Sequence, residues 1–150
     1  MNDLLDVQRL AEQIARQAHD GQTDKAGRSY IEHPARVAAR LHDPELRAAA
    51  WLHDVVEDTD WTADRLREAG LPHRVVDTVI AVTRLPGQSD DAYYAQVAAS
   101  DDGTAVKRAD IGDNADVNRL ALLDPATRDR LEKKYAKAEA AIDACREARP

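Results

Sequence analysis

Residues 48–60, AAAWLHDVVEDTD, hold the densest group of side chains able to do chemistry. His53, Asp54, Glu57 and Asp58 stand at i, i+1, i+4 and i+5, so on a helix they would form one narrow polar stripe. Ala49, Trp51, Leu52, Val55 and Val56 cover most of the remaining surface of that helix. An imidazole beside a carboxylate, with two more carboxylates a turn later, can ligate a divalent metal and hold a water against it. The same offsets suit the polar face of an amphipathic surface helix, and the stripe alone does not choose between the two.

Two further positions extend the set. His33 and Asp110, the latter in AVKRADIGDN, also lie beside or inside apolar, helix-forming runs. Two imidazoles and two carboxylates make a mixed nitrogen and oxygen donor set that suits Mn²⁺, Fe²⁺ or Zn²⁺ with positions left for water. Spacing does not establish convergence: His33 also reads as a helix-start residue, and Asp110 as a partner for Lys107, Arg108 or a backbone donor.

The elements that must position these residues read as helices. Residues 4–19 carry Leu4, Val7, Leu10, Ala11, Ile14 and Ala18 at helical spacing, and Asp20-Gly21 breaks the run. GQTDKAGRSY has two glycines and no period, so it is expected to be a loop that exposes Lys25 and Arg28. A second helix is expected to start at His33, with Pro34 in its first turn and Val37, Ala38 and Leu41 inward. Asp43-Pro44 is the start signal of a third helix, which would carry the His53 stripe. Thr62 suits the cap of a short helix ending at Gly70. Leu71-Pro72 opens a helix through Val75, Val76, Val79, Ile80 and Val82, whose β-branched residues lack any hairpin signal that would make them a strand. After Pro86-Gly87, Ser89 caps a helix through Tyr93, Tyr94 and Val97. Asp101-Asp102-Gly103 reads as a turn, a stretch from residue 104 to about 122 follows, and Asp124-Pro125 starts a last helix. That helix is rich in charge and alanine, with one thin apolar stripe of Leu131, Tyr135, Ala138 and Ile142. The pattern predicts an all-α fold.

At 150 residues the chain has the length of one domain, expected to span 1–150, with a motif-bearing core from about residue 10 to 120 and a charged helix from about 125 to 148. Its 43% hydrophobic and 33% charged residues exclude a disordered chain. A net charge of -7 argues against binding to nucleic-acid polymers, which takes a basic surface, but leaves room for a small anionic substrate where cations gather locally. No apolar run is long enough to cross a bilayer, and MNDLLDVQRLAEQ has no signal-peptide core, so a cytoplasmic location is expected. The lone Cys145 cannot form an internal disulfide and suits a small residue on the last helix. That Ala-rich helix fits a dimer contact and an exposed face equally well, so the oligomeric state stays open.

Taken in order, AHDGQTDKAGRSYIEHPARVA, AAAWLHDVVEDT, VIAVTRL and AVKRADIGDN resemble the HD-domain metallohydrolases, in particular the RelA/SpoT-type hydrolase domain and the small stand-alone alarmone hydrolases. The resemblance implies that His33, His53, Asp54 and Asp110 ligate one divalent metal, Mn²⁺ in that branch. It implies that Glu57 and Asp58 orient the attacking water and accept its proton, and that Asn114 lies near the nucleotide. The implied reaction removes pyrophosphate from the 3′ position of a guanosine tetra- or pentaphosphate. Cations for the phosphates would come from Lys25, Arg28, and Lys107 or Arg108, each of which also suits solvated surface.

Two positions depart from that branch. Asp24-Lys25 stands where an Arg-Lys pair is usual, and Asn114-Ala115-Asp116 stands where an Asn-Met/Leu-Arg run is common, although Arg119 could replace the second cation. A reversed charge close to a desolvated phosphate costs on the order of a few kcal/mol, and much less in water. Two further readings therefore stand beside the alarmone hydrolase: an HD-domain phosphatase or phosphodiesterase acting on another nucleotide or phosphate ester, and a non-catalytic helical module that binds a nucleotide or protein.

Overall fold

In the computed structural model, which describes residues 3–150, local caps set most helix boundaries. The helices are α1 (Asp3–Ala18), α2 (Glu32–Ala39), α3 (Pro44–Leu52), α4 (Val55–Asp58), α5 (Ala63–Glu68), α6 (His73–Val82), α7 (Asp90–Ala98), α8 (Asp101–Asn114), α9 (Val117–Leu120) and α10 (Pro125–Glu147). Asp43, Thr62, Ser89 and Asp124 each accept a hydrogen bond from a first-turn amide, as expected of N-caps. Among the described residues no strand forms, and Thr23 and Ser29 make one isolated antiparallel bridge. The first two residues of the expected domain span lie outside the described residues.

The centre of the molecule is α3. Ala48, Ala49, Ala50 and Leu52 are completely buried, and α1, α2, α6 and α8 pack around them. Three consecutive alanines let neighbouring helices approach from several sides, which explains an apolar surface that is not confined to one stripe. Val37, Val75, Val76, Val79 and Val106 complete this core, while Tyr93, Tyr94, Val97, Ile111, Ala138 and Ile142 form a second one between α7, α8 and α10.

Two expectations are corrected. The third helix does not run through the His53 stripe: α3 stops at Leu52, His53 and Asp54 form the junction, and α4 begins at Val55. The His53 Nδ1 bonds to the Ala50 carbonyl at 2.7 Å, occupying an acceptor at the helix end. Nor is Asp101-Asp102-Gly103 a turn. These residues form the first turn of α8, capped by Ser100, which accepts from the Gly103 amide at 2.8 Å. Gly103 is needed there for packing, because a Cβ at this position would lie 2.9 Å from the Ala81 Cβ on α6. The stretch from residue 104 to about 122 holds the rest of α8 and then α9, parted at Ala115 and Asp116.

Candidate metal centre

Adjacent residues of an unbroken helix point about 100° apart. The interruption between α3 and α4 instead lets His53 and Asp54 share one site. The His53 Nε2 lies 3.1 Å from Asp54 Oδ2 and 3.4 Å from Asp110 Oδ1. His33, from the first turn of α2, presents its Nε2 at 2.9 Å from the same Asp110 oxygen. One donor atom from each of His33, His53 and Asp54 falls within 4.8 Å of the others, and Asp110 on α8 closes the set. His33, His53 and Asp110 are almost fully buried.

The surrounding groups fix which ring nitrogens face inward. Asp113 Oδ2 takes His33 Nδ1 at 2.6 Å, and the Ala50 carbonyl takes His53 Nδ1, so both Nε2 atoms point at the gap between Asp54 and Asp110. Tyr30 donates its hydroxyl to Asp54 Oδ2. Asp110 accepts from Asn114 Nδ2 on Oδ1 and from Lys107 Nζ on Oδ2, each at 3.0 Å. The His53 Nε2 is buried and makes no hydrogen bond of acceptable geometry. A buried orphan nitrogen aimed between two carboxylates fits a divalent cation, and so does the chemistry of the His₂Asp₂ set.

The electrostatics point the same way. Burial opposes the charged forms of all four residues, but their mutual attraction prevails. Asp54 and Asp110 hold His53 well above its ordinary value, and His53 in turn holds Asp54 down at about 2 and Asp110 well below the carboxylate range. His33 is raised against its burial by Asp110 and Asp113. Positive charge on the two imidazoles is thus favoured where a cation would sit.

Glu57 and Asp58 lie on α4 beyond this cluster. Glu57 is tethered, accepting the Arg84 amide at 2.7 Å. Asp58 is pushed up to about 6, first by partial withdrawal from water and then by Asp54 and Glu57.

On the α2 side a cavity of about 390 Å³ opens beside His33, Tyr30 and Asn114. Lys25, Arg28, Arg36 and Arg119 supply its cations, and Leu120, Leu123, Leu131 and Tyr135 an apolar wall. A lining that combines cations with an apolar, partly aromatic surface suits a phosphorylated compound with a flat ring. Of the residues singled out from the sequence, Lys25, Arg28, His33 and Asn114 line this cavity, whereas Lys107 sits behind Asp110 and over the Tyr93 ring, and Arg108 pairs with Asp143 on α10.

Neither acid that departed from the expected pattern stands free. Asp24 Oδ1 accepts from the amides of Ala26 and Arg28, both at 2.9 Å, and Oδ2 lies 3.6 Å from Arg119. Asp116 caps α9 through the amides of Asn118 and Arg119. Tyr30, Arg36, Asp113 and Tyr135 were missed as site residues. Tyr30, Arg36 and Asp113 carry no local signal, because the partners that give them a role lie far along the chain.

An all-α bundle with a His/Asp cluster at the junction of its central helix defines a candidate metal-binding helical domain. The chain belongs to the HD-domain family, whose family model matches residues 11–110. It is 52% identical over 59 residues to a guanosine-3′,5′-bis(diphosphate) 3′-pyrophosphohydrolase of Haemophilus influenzae, covering 37% of this chain and 9% of that protein. A protein of the same name from Aquifex aeolicus is 39% identical over 84 residues, 53% of this chain and 12% of its own. The Escherichia coli bifunctional (p)ppGpp synthase/hydrolase SpoT is 50% identical over 58 residues, 36% and 8% of the two chains. The matched region thus spans about a tenth of the length of these relatives. A solved structure described as a metazoan ortholog of SpoT that hydrolyzes ppGpp shares the fold, with a TM-score of 0.70 over 97% of this chain and 94% of that one at 23% identity.

Proposed function

We propose that this chain is a metal-dependent phosphohydrolase that removes pyrophosphate from the 3′ position of guanosine 3′,5′-bis(diphosphate) or a close relative of that nucleotide, in the cytoplasm and with Mn²⁺. The observation that carries the reading is the convergence of His33, His53, Asp54 and Asp110 beside a cavity that His33 lines together with cations and apolar residues. The names of the relatives support the substrate class. The pairing of Asp24 and Asp116 within the chain supports it too, because their charges are already partnered and the case for a less charged substrate loses its motive. The proposal treats residues 1–150 as one HD domain.

His33, His53, Asp54 and Asp110 would hold the ion, which when bound polarises a phosphoryl oxygen and lowers the pKa of water. Asp113 and the Ala50 carbonyl keep the imidazoles in the tautomer that presents Nε2, and Tyr30 fixes Asp54. Asp58 accepts the proton of the attacking water, a role for which a carboxylate near 6 is well matched at neutral pH. Glu57 is tethered by the Arg84 amide and orients that water with its remaining oxygen. Lys25, Arg28 and Asn114 contact the nucleotide, and the apolar wall takes the base.

The test is pyrophosphate release from guanosine 3′,5′-bis(diphosphate) by metal-stripped protein with and without Mn²⁺. Release that requires Mn²⁺ and disappears in His53→Ala, together with the Mn²⁺-induced rise in melting temperature, is the expected result. Activity retained in His53→Ala would refute the site. No release from folded, Mn²⁺-loaded wild type would refute the substrate and leave the metal centre standing.

A further inference from the structure

Arg36 is a cation of the cavity that the chain holds by one of its three nitrogens. Its Nε donates to Asp113 Oδ1 at 2.8 Å, but its Nη1 and Nη2 meet no acceptor among the described residues, and Nη2 is buried. An unmet donor on a charged group is costly when withdrawn from water. The same guanidinium lines the cavity.

Asp113 is the anchor. It is nearly inaccessible to solvent, and its two oxygens together receive His33 Nδ1, Arg36 Nε and Arg119 Nη1. One carboxylate therefore fixes two guanidinium groups. The acid that lines the cavity, Asp24, is spent on two loop amides and a loose contact to Arg119. With Lys25 and Arg28 added, four cations among the described residues line the cavity against the one carboxylate in its lining, Asp24, in a chain whose overall charge is -7. A guanidinium held through Nε is fixed in orientation; with Nη2 closed off from solvent, Nη1 is the nitrogen left to meet a phosphoryl oxygen.

We propose that Arg36 is a specificity-determining residue: clamped by Asp113 through Nε, it donates from Nη1 to a phosphoryl oxygen of the ligand, on a phosphate other than the one attacked. A substrate phosphorylated at two positions, or carrying a diphosphate, satisfies this group, and a monophosphate held only at the metal centre does not. The inference deepens the phosphohydrolase reading, on which the identity of the ligand rests. A purely structural Arg36 would need only the Nε contact that steadies Asp113 behind His33.

Arg36→Gln separates the two roles, with Arg9→Gln on the exposed face of α1 as control. Binding of inorganic pyrophosphate to the metal-free protein is measured by calorimetry, and Mn²⁺ affinity is measured separately to report on the His33 side. Pyrophosphate Kd is expected to rise about tenfold in Arg36→Gln, the loss of one charge-assisted hydrogen bond, and to stay unchanged in Arg9→Gln. Mn²⁺ affinity is expected to change by less than about twofold, since the metal's donors remain in place. Unchanged pyrophosphate binding in Arg36→Gln, a parallel loss of Mn²⁺ affinity, or no pyrophosphate binding by the wild type would each overturn the proposal. Neither arm measures turnover, so a chain that hydrolyses nothing would fail the phosphohydrolase reading without deciding this one.

Discussion

Asp58 carries the clearest pH signature among the single residues. Its carboxyl is raised to about 6, and a base must be ionised to take a proton. kcat/KM should therefore increase as pH rises through about 6 and level off above it. Asp58→Asn should lower the plateau by about 100-fold and remove that limb. Measuring the pH–rate profile of both proteins checks this, and an intact limb in the variant would assign the base elsewhere, with Glu57 next in line. Residues of this kind were partly readable because Asp58 and Glu57 follow His53 within a turn. Tyr30, Arg36 and Asp113 were not, because their significance lies in partners 24 to 80 residues away along the chain.

Among the elements, the loop between α1 and α2 depends on Asp24. Its side chain imitates a turn by accepting two amides, and the Gly27 φ of 81° completes the reversal. Asp24→Ala should cost about 1 kcal/mol in denaturant unfolding, whereas Asp24→Asn, whose Oδ1 still accepts, should cost much less. Equal losses would mean that the Arg119 contact matters more than the turn. Gly103 is the complementary case at a helix crossing. Gly103→Ala improves helix propensity by up to about 1 kcal/mol but forces α6 and α8 apart, and a net loss of about 1–2 kcal/mol should appear as a lower melting temperature. N-caps such as Asp43, Ser89 and Asp124 could be read from the chain because capping is a local interaction. The break after Leu52 could not. No glycine or proline marks it, and its cause is the side chain of His53 turning back on Ala50. Gly103 was misread for the same reason: the contact that requires it comes from Ala81, on another helix.

At the scale of the whole molecule, the His/Asp cluster ties stability to pH and, as the proposed metal centre, to the ion it would hold. In the metal-free protein His33 and His53 are raised above their ordinary 6.5, so the stability they contribute is fully present below that value and is lost as pH rises through their folded values. Asp54 and Asp110 are depressed below their ordinary 3.8, so their contribution is present above that value and is lost as pH falls through the depressed ones. Among these four groups, stability is therefore greatest between the two limits. A divalent ion needs both imidazoles neutral, so at low pH it must displace protons that already stabilise the fold, while at high pH it fills a site whose carboxylates have lost their counter-charges. The melting temperature gained on adding Mn²⁺ should consequently be larger at pH 8 than at pH 6. The chelated protein should itself be less stable at the higher pH to the extent that these two imidazoles dominate its titration. Melting curves with chelator and with Mn²⁺ across that range check the linkage. A metal-induced increment independent of pH would mean that the ion binds somewhere other than between His33 and His53. That result would separate the metal centre from the buried cluster that joins α2, the end of α3 and α8.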